Sequence, residues 1–206
     1  MKDFWARFLS TLLHPLLMPV YTVLIIWYLP LQGLKIRITS ESLSPILGPM
    51  VLFTTLMPVL FLISLKYLGV IQSVTLNDRR DRKYPLLGAM ASNLALAWFF
   101  QQMQSGSLLI VLALGSAALV FIAWIITLWW KISIHMASLG GFLAILTLGY
   151  LTDNKPMFLP AVCMVILAIL LGWARIERKA HSPDQVVAGL LLGLLIIGFS
   201  LKFTVI

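Results

Sequence analysis

Apolar residues in this chain do not alternate with polar ones. They gather into seven long runs separated by short polar or charged segments, at roughly 10–31, 45–66, 85–103, 107–130, 134–151, 157–174 and 184–203. Judged by length, these runs match the stretch of about 20 apolar residues that carries an α-helix across a bilayer. A transmembrane β-strand would alternate in polarity, and "LLIVLALGSAALVFIAWIITLWW" does not. The pattern predicts an all-α, polytopic transmembrane helix bundle of about six to seven spans. It forms a single integral-membrane domain over residues 1–206, without a soluble domain, a linker or an internal repeat.

Helix breakers agree with these boundaries. "QQMQSGS" separates the third and fourth runs, "LTDNKP" separates the fifth and sixth, and Pro85 can open the third. The first run holds Pro15, Pro19 and Pro30. Each proline removes a helical hydrogen bond, so a kinked first span, or one peripheral to the bundle, is expected over 10–31. The N-terminal "MKDFWARFLSTLL" continues into this run without a small-residue cleavage signal, which reads as an uncleaved first span.

Composition sharpens the picture. The chain is 61% hydrophobic and 11% charged, with a formal net charge of +8. That excess does not indicate nucleic acid, because the cations lie in short loops beside apolar runs. There they meet anionic lipid headgroups or phosphate groups. The one cysteine, Cys163, sits inside an apolar run, which excludes an intrachain disulfide and a cysteine-based metal cluster.

Seven spans put the N-terminus and the loops near 67–84, 131–133 and 175–183 on one side of the membrane. All three histidines fall there: His14 inside the first span, His135 at the start of the fifth and His181 just before the seventh. Arg79, Arg80, Arg82, Lys83, Lys131, Arg175, Arg178 and Lys179 share that side. Adding Lys2, Arg7 and Lys66 to these eight gives eleven of the fifteen Lys and Arg residues. Without the eight candidate site cations, three remain against Lys35, Arg37, Lys155 and Lys202 opposite. The positive-inside rule then fixes no orientation.

Three clusters carry candidate chemistry. In "RIERKAHSPDQVVAG", residues 175–189, Ser182, Pro183 and Gln185 form a capping-box signature that starts a helix directly after His181. Arg175 lies six residues before His181 and Asp184 three after it. This set suits phosphoryl transfer: arginine clamps the anion, histidine attacks phosphorus and a carboxylate fixes the imidazole tautomer. Taken alone, a basic loop with Asp184 set against the helix dipole explains the same residues equally well. In "WKISIHMASLGG", Ser133 can cap the fifth span and His135 falls in its first turn, where it can protonate a leaving oxygen. It can also be an interfacial histidine beside Trp129 and Trp130. "NDRRDRKYP" holds four cations within five residues, and for the flanking ones a headgroup anchor is the better reading.

Together these patches resemble the type 2 phosphatidic acid phosphatase superfamily. Arg175 and His181 keep the Arg-to-His spacing of its last motif, Ser133-Ile134-His135 fits the Ser-Gly-His core of its second, and "RKYP" is similar to the end of its first. The departures are specific. Ala174 replaces a serine, Ile132 a proline and Ile134 a glycine. Gln185 stands where the family has its acid, one residue after Asp184. Tyr84 occupies the family's arginine position before Pro85, so that Arg82 or Lys83 must substitute for it.

The resemblance implies a role for each site residue. His181 is the nucleophile, with Asp184 as its orienting carboxylate, and His135 is the acid and then the base. Arg175, Arg82, Lys83, Arg79 and Ser133 with its helix-start N–H groups bind the phosphate. No metal and no cofactor is implied. The expected activity is hydrolysis of a lipid phosphate or diphosphate through a phosphohistidine. The alternatives are a phosphoryl-group transferase of the same fold and a non-catalytic lipid-phosphate binding or transport protein. The expected partners are the bilayer and its lipid phosphate, and the expected location is the bacterial cytoplasmic (inner) membrane. Gly189 and Gly193, a GxxxG pair, face either the small residues Ser138, Gly140 and Gly141 or a homodimer partner. His14-Pro15 matches no family motif and stays outside the catalytic set.

Overall fold

A computed structural model describes residues 1–29, 34, 38–76, 78–153 and 158–205. Among them the regular structure is entirely helical: α1 Lys2–Leu12, α2 Met18–Tyr28, α3 Ser40–Val51, α4 Met57–Tyr67, α5 Lys83–Gln102, α6 Ser107–Thr127, α7 Ile134–Asp153, α8 Phe158–Glu177 and α9 Pro183–Val205. Four helical stretches are long and apolar enough to cross a membrane: Ser40–Tyr67, Ser107–Thr127, Phe158–Glu177 and Pro183–Lys202. α5 and α7 complete the bundle, at 20 residues each. The all-α bundle expected from the apolar runs is therefore present. Lys35, Arg37, Lys155 and Pro30 lie outside the described residues.

The outer faces confirm which solvent this surface meets. Trp98, Ile169 and Leu195 stand about two-thirds exposed, as side chains do when lipid covers them. Inside, Leu96, Phe100, Leu139, Leu146, Leu171 and Leu201 are buried in one continuous core.

The first apolar run differs from one kinked span. It is two short helices that meet at His14-Pro15. Pro15 has no N–H to continue the α1 ladder, and its ring clashes with the carbonyl of the preceding turn. The carbonyls set free find side chains instead. Tyr21 donates to the Leu12 carbonyl at 3.0 Å, and Thr55 donates to the Leu16 carbonyl at 2.9 Å. α2 has 11 residues, about 16 Å of helix against a hydrocarbon core of ~30 Å.

α3 and α4 are one rod interrupted by a π-turn at Leu52–Leu56, where the Met57 N–H reaches back to the Leu52 carbonyl. Pro58 explains it, since it offers no N–H to Thr54, and the ladder widens by one residue to pass. The Thr54 hydroxyl fills the gap by donating to the Met50 carbonyl at 2.8 Å.

α7 and α9 make the closest approach in the bundle. A Cβ on Gly193 would strike the Ala137 carbonyl, one on Gly140 the Leu190 carbonyl, and one on Gly189 the Ser133 carbonyl. The GxxxG face of α9 is thus packed on α7 within the same chain. This contact sets the starts of α7 and α9 side by side, which brings the segments carrying His135 and His181 together.

Candidate active site

The turn between α8 and α9 shows why Arg175 and His181 stand six positions apart. α8 ends in a Schellman cap: the Ala180 N–H donates to the Arg175 carbonyl at 3.1 Å and the Lys179 N–H to the Ile176 carbonyl at 2.8 Å. Lys179 takes the left-handed conformation, φ 52°, that such a cap requires. The chain thereby doubles back, and the His181 N–H also reaches the Arg175 carbonyl, at 3.3 Å.

His181 lies just before α9, whose first turn holds it. Nδ1 of the ring is 3.0 Å from Gln185 Oε1 and 3.2 Å from the Lys131 carbonyl. Both are acceptors, so Nδ1 must carry the proton, and Nε2 keeps its lone pair. Gln185 Oε1 also accepts the Ser182 N–H, at 3.4 Å. That is the reciprocal half of the capping box. A single glutamine therefore caps the helix and sets the tautomer of the histidine.

The residue set against the ring is thus Gln185, where the sequence pointed to Asp184. Asp184 is exposed, and the hydrogen bond to the ring is made by Gln185. The physical reason is that His181 precedes the helix. Helical spacing does not apply to it, and the third residue of the first turn, not the second, reaches back over the cap. We expect Gln185→Ala to lower kcat by about 10- to 100-fold, because a histidine free to adopt the wrong tautomer is a poor nucleophile while the Lys131 carbonyl still offers one acceptor. Asp184→Asn should stay within about twofold. Steady-state kinetics on the two variants checks the ranking.

The loop joining α6 to α7 is where the other two clusters meet. The Ile132 carbonyl accepts from Arg82 Nη1 at 3.1 Å, the Lys131 carbonyl accepts from His181, and the Ser133 N–H donates to the Gln185 carbonyl at 3.3 Å. Arg82 is turned inward by its own loop. Its Nε donates to the Leu76 carbonyl at 2.9 Å, and buried Asp81 accepts the Gln72 and Ser73 N–H groups at 3.2 Å. Of the four cations in this cluster, Arg82 is buried and lines the cavity described below, whereas Lys83 is exposed and Arg79 partly exposed, both off its wall. Lys83 begins α5, and the helix turns its side chain outward. Of the candidate phosphate ligands Arg82, Lys83 and Arg79, the structure brings only Arg82 to the cavity.

Ser133 does not line the cavity either. It is fully buried and off the cavity wall, its N–H is engaged by Gln185, and its Oγ has no partner. Its contribution is to tie the start of α7 to that of α9.

The cavity has a volume of about 870 Å³. Arg82, Lys131, His135, Arg175 and His181 line it together with apolar residues such as Leu96, Leu109, Ala113 and Leu119. Arg175 is buried with its Nε lacking any partner, while Nη1 donates to Ser10 Oγ at 3.3 Å. His135 Nε2 is 3.2 Å from the Ser10 carbonyl. His14 also lines the cavity, its ring edge-on to that of His135 at 5.3 Å between centroids and 81° between planes.

Electrostatics follow from this crowding. Burial, and then the Arg82 charge, lower the His181 imidazole to about 4 against the pull of Gln185, so the ring is neutral at physiological pH. Burial lowers Arg82 to about 10, which leaves it cationic. Burial and the neighbouring Arg82 and Arg175 charges hold the Lys131 ammonium below its ordinary value. Arg82, Lys131 and Arg175 thus gather positive charge on a cavity whose described lining contains no Asp or Glu, an arrangement that favours an anion.

The sequence carried no sign of Ser10, left His14 outside the catalytic set, counted Lys131 only among the candidate site cations and marked Gln185 as a helix cap. For Gln185 the signal was present, since it sits at the family's acid position.

Comparison with known proteins agrees with this geometry. The model of the PAP2 superfamily matches residues 86–205, which include His135, Arg175 and His181. No curated protein and no solved structure matches the chain. With more than half of its length matched, the chain belongs to the PAP2 superfamily.

Proposed function

We propose that this protein is a membrane phosphatase that hydrolyses a lipid phosphate or diphosphate through a phosphohistidine at His181. One observation carries the reading: Arg82, Lys131, Arg175, His135 and His181 line the same cavity as apolar residues such as Leu96, Leu109 and Leu119. An anionic headgroup and a hydrocarbon tail would both find their complement there.

The substrate phosphate sits among the cations that line the cavity, and the unpartnered Nε of Arg175 and the remaining N–H groups of Arg82 hold its oxygens. The Nε2 lone pair of His181 attacks phosphorus. The bond from phosphorus to the leaving oxygen breaks, and that oxygen takes a proton from His135, whose cationic form is favoured by the charge of the bound phosphate. Water then attacks the phosphohistidine and gives its proton to His135. The phosphorus–nitrogen bond breaks, inorganic phosphate leaves and both histidines return to their starting states. The arginines stabilise the equatorial oxygens in both displacements.

Purified protein in detergent micelles should release inorganic phosphate from at least one of dioctanoyl phosphatidic acid, a polyprenyl phosphate and a polyprenyl diphosphate. Binding of these lipids without release would contradict the hydrolytic reading.

A further inference from the structure

Ser10 and His14 lie far outside the region matched to the family, yet both reach its centre. We propose that the break between α1 and α2 is a working part of the site, in which the Ser10 carbonyl and the His14 ring are positioning groups for His135. The inference rests on the reading of His135 as the acid and base of the reaction.

The break itself supplies the acceptor. Within a continuous helix the Ser10 carbonyl would bond to the N–H of residue 14. Here α1 stops at Leu12, and that carbonyl instead faces His135 Nε2 at 3.2 Å. A carbonyl only accepts, so the neutral His135 ring carries its proton on Nε2, and Nδ1 is the nitrogen that gives and takes protons. His181 is the mirror case: carbonyl-type acceptors hold Nδ1 and free Nε2. Each catalytic ring thus has one nitrogen fixed by the protein and one left for chemistry. The same Ser10 anchors Arg175 Nη1 through its hydroxyl, which couples the acid to the phosphate clamp.

His14 supplies the second restraint. Its Nδ1 accepts the Leu16 N–H at 3.3 Å, which locks its ring within the bend that Pro15 creates. The locked ring meets His135 edge-on, a geometry that favours one ring orientation. His135 stands in the first turn of α7, and the Ser10 carbonyl alone fixes only one end of its ring. His14 limits rotation of the remainder.

The test uses leaving groups. p-Nitrophenyl phosphate loses a stabilised phenolate that needs no proton, whereas dioctanoyl phosphatidic acid loses an alkoxide that does. His14→Ala should cut kcat on dioctanoyl phosphatidic acid by about 10- to 100-fold, the scale of a misplaced catalytic group. On p-nitrophenyl phosphate the burst of p-nitrophenolate, which reports the first displacement alone and needs no proton donor, should stay within about twofold. His135→Ala should lose more turnover on dioctanoyl phosphatidic acid than His14→Ala, because it removes both the acid and the base. An equal loss on both substrates, or no loss on either, would overturn the proposal, since a packing defect does not distinguish leaving groups. Nitrogen-15 NMR of labelled histidines gives a readout independent of turnover. His135 should be Nε2-protonated in the wild type and a tautomer mixture in His14→Ala. Nδ1 protonation in the wild type, or an unchanged single tautomer in the variant, would also overturn it. A wild type inert on both phosphates would defeat the phosphatase reading, and the NMR result would still decide the roles of Ser10 and His14.

Discussion

His181→Ala should abolish phosphate release, lowering kcat by at least about 10⁴-fold, the scale seen when a nucleophile of a cooperating catalytic set is removed. The argument is geometric before it is electrostatic. The Schellman cap of α8 and the capping box of α9 fix the backbone on both sides of His181. Gln185 and the Lys131 carbonyl then fix its tautomer. Nε2 is the one atom of the ring left to react, and burial among cations keeps it unprotonated at neutral pH. Alanine removes the atom without disturbing the helix that follows. A normal thermal melt together with lost turnover is the expected pair of results. Substantial turnover from a folded variant would remove His181 from the mechanism.

Arg175 should be nearly as sensitive. Its guanidinium is buried with one N–H group unpartnered, an arrangement that costs stability until an anion arrives. Arg175→Met fills similar volume without the charge. It should retain or raise thermal stability while kcat/KM falls by about 10²- to 10³-fold, the cost of a lost donor to a developing oxyanion. Arg175→Lys should recover only part of that loss, because an ammonium is a point charge and cannot bridge two phosphate oxygens. Thermal melts paired with kinetics test both statements. A variant that loses stability and activity in proportion would make Arg175 a structural residue.

Much of this architecture was legible in the order of residues. A transmembrane helix must be apolar along its whole length, so the runs at 107–130 and 184–203 could be read from composition alone, and the small residues of α7 and α9 announced a close contact. Arg175, His135 and His181 could be read as well, because their chemistry is rare beside a membrane. The first run was harder. Pro15 marked a defect, yet no local rule tells a kink from a full break, and the outcome depends on Tyr21, Thr55 and His135 arriving to take the freed carbonyls.

The partner of His181 was misread for a related reason. Asp184 and Gln185 are adjacent, and the choice between them is made by the cap geometry before the helix rather than by residue type. A carboxylate seemed the better base partner, but an amide oxygen orients a ring equally well where it can reach it. Lys131 contributes a carbonyl, and no sequence pattern marks a carbonyl.

The covalent intermediate is the centre of this account, and the stereochemical course of the reaction tests it most directly. A phosphorothioate ester made chiral at phosphorus with oxygen isotopes, hydrolysed in labelled water, would report whether phosphorus is displaced once or twice. Attack by His181 and then by water gives two in-line inversions, so net retention of configuration is the expected result. Net inversion would mean that water attacks the substrate directly, and His181 would then not be the nucleophile.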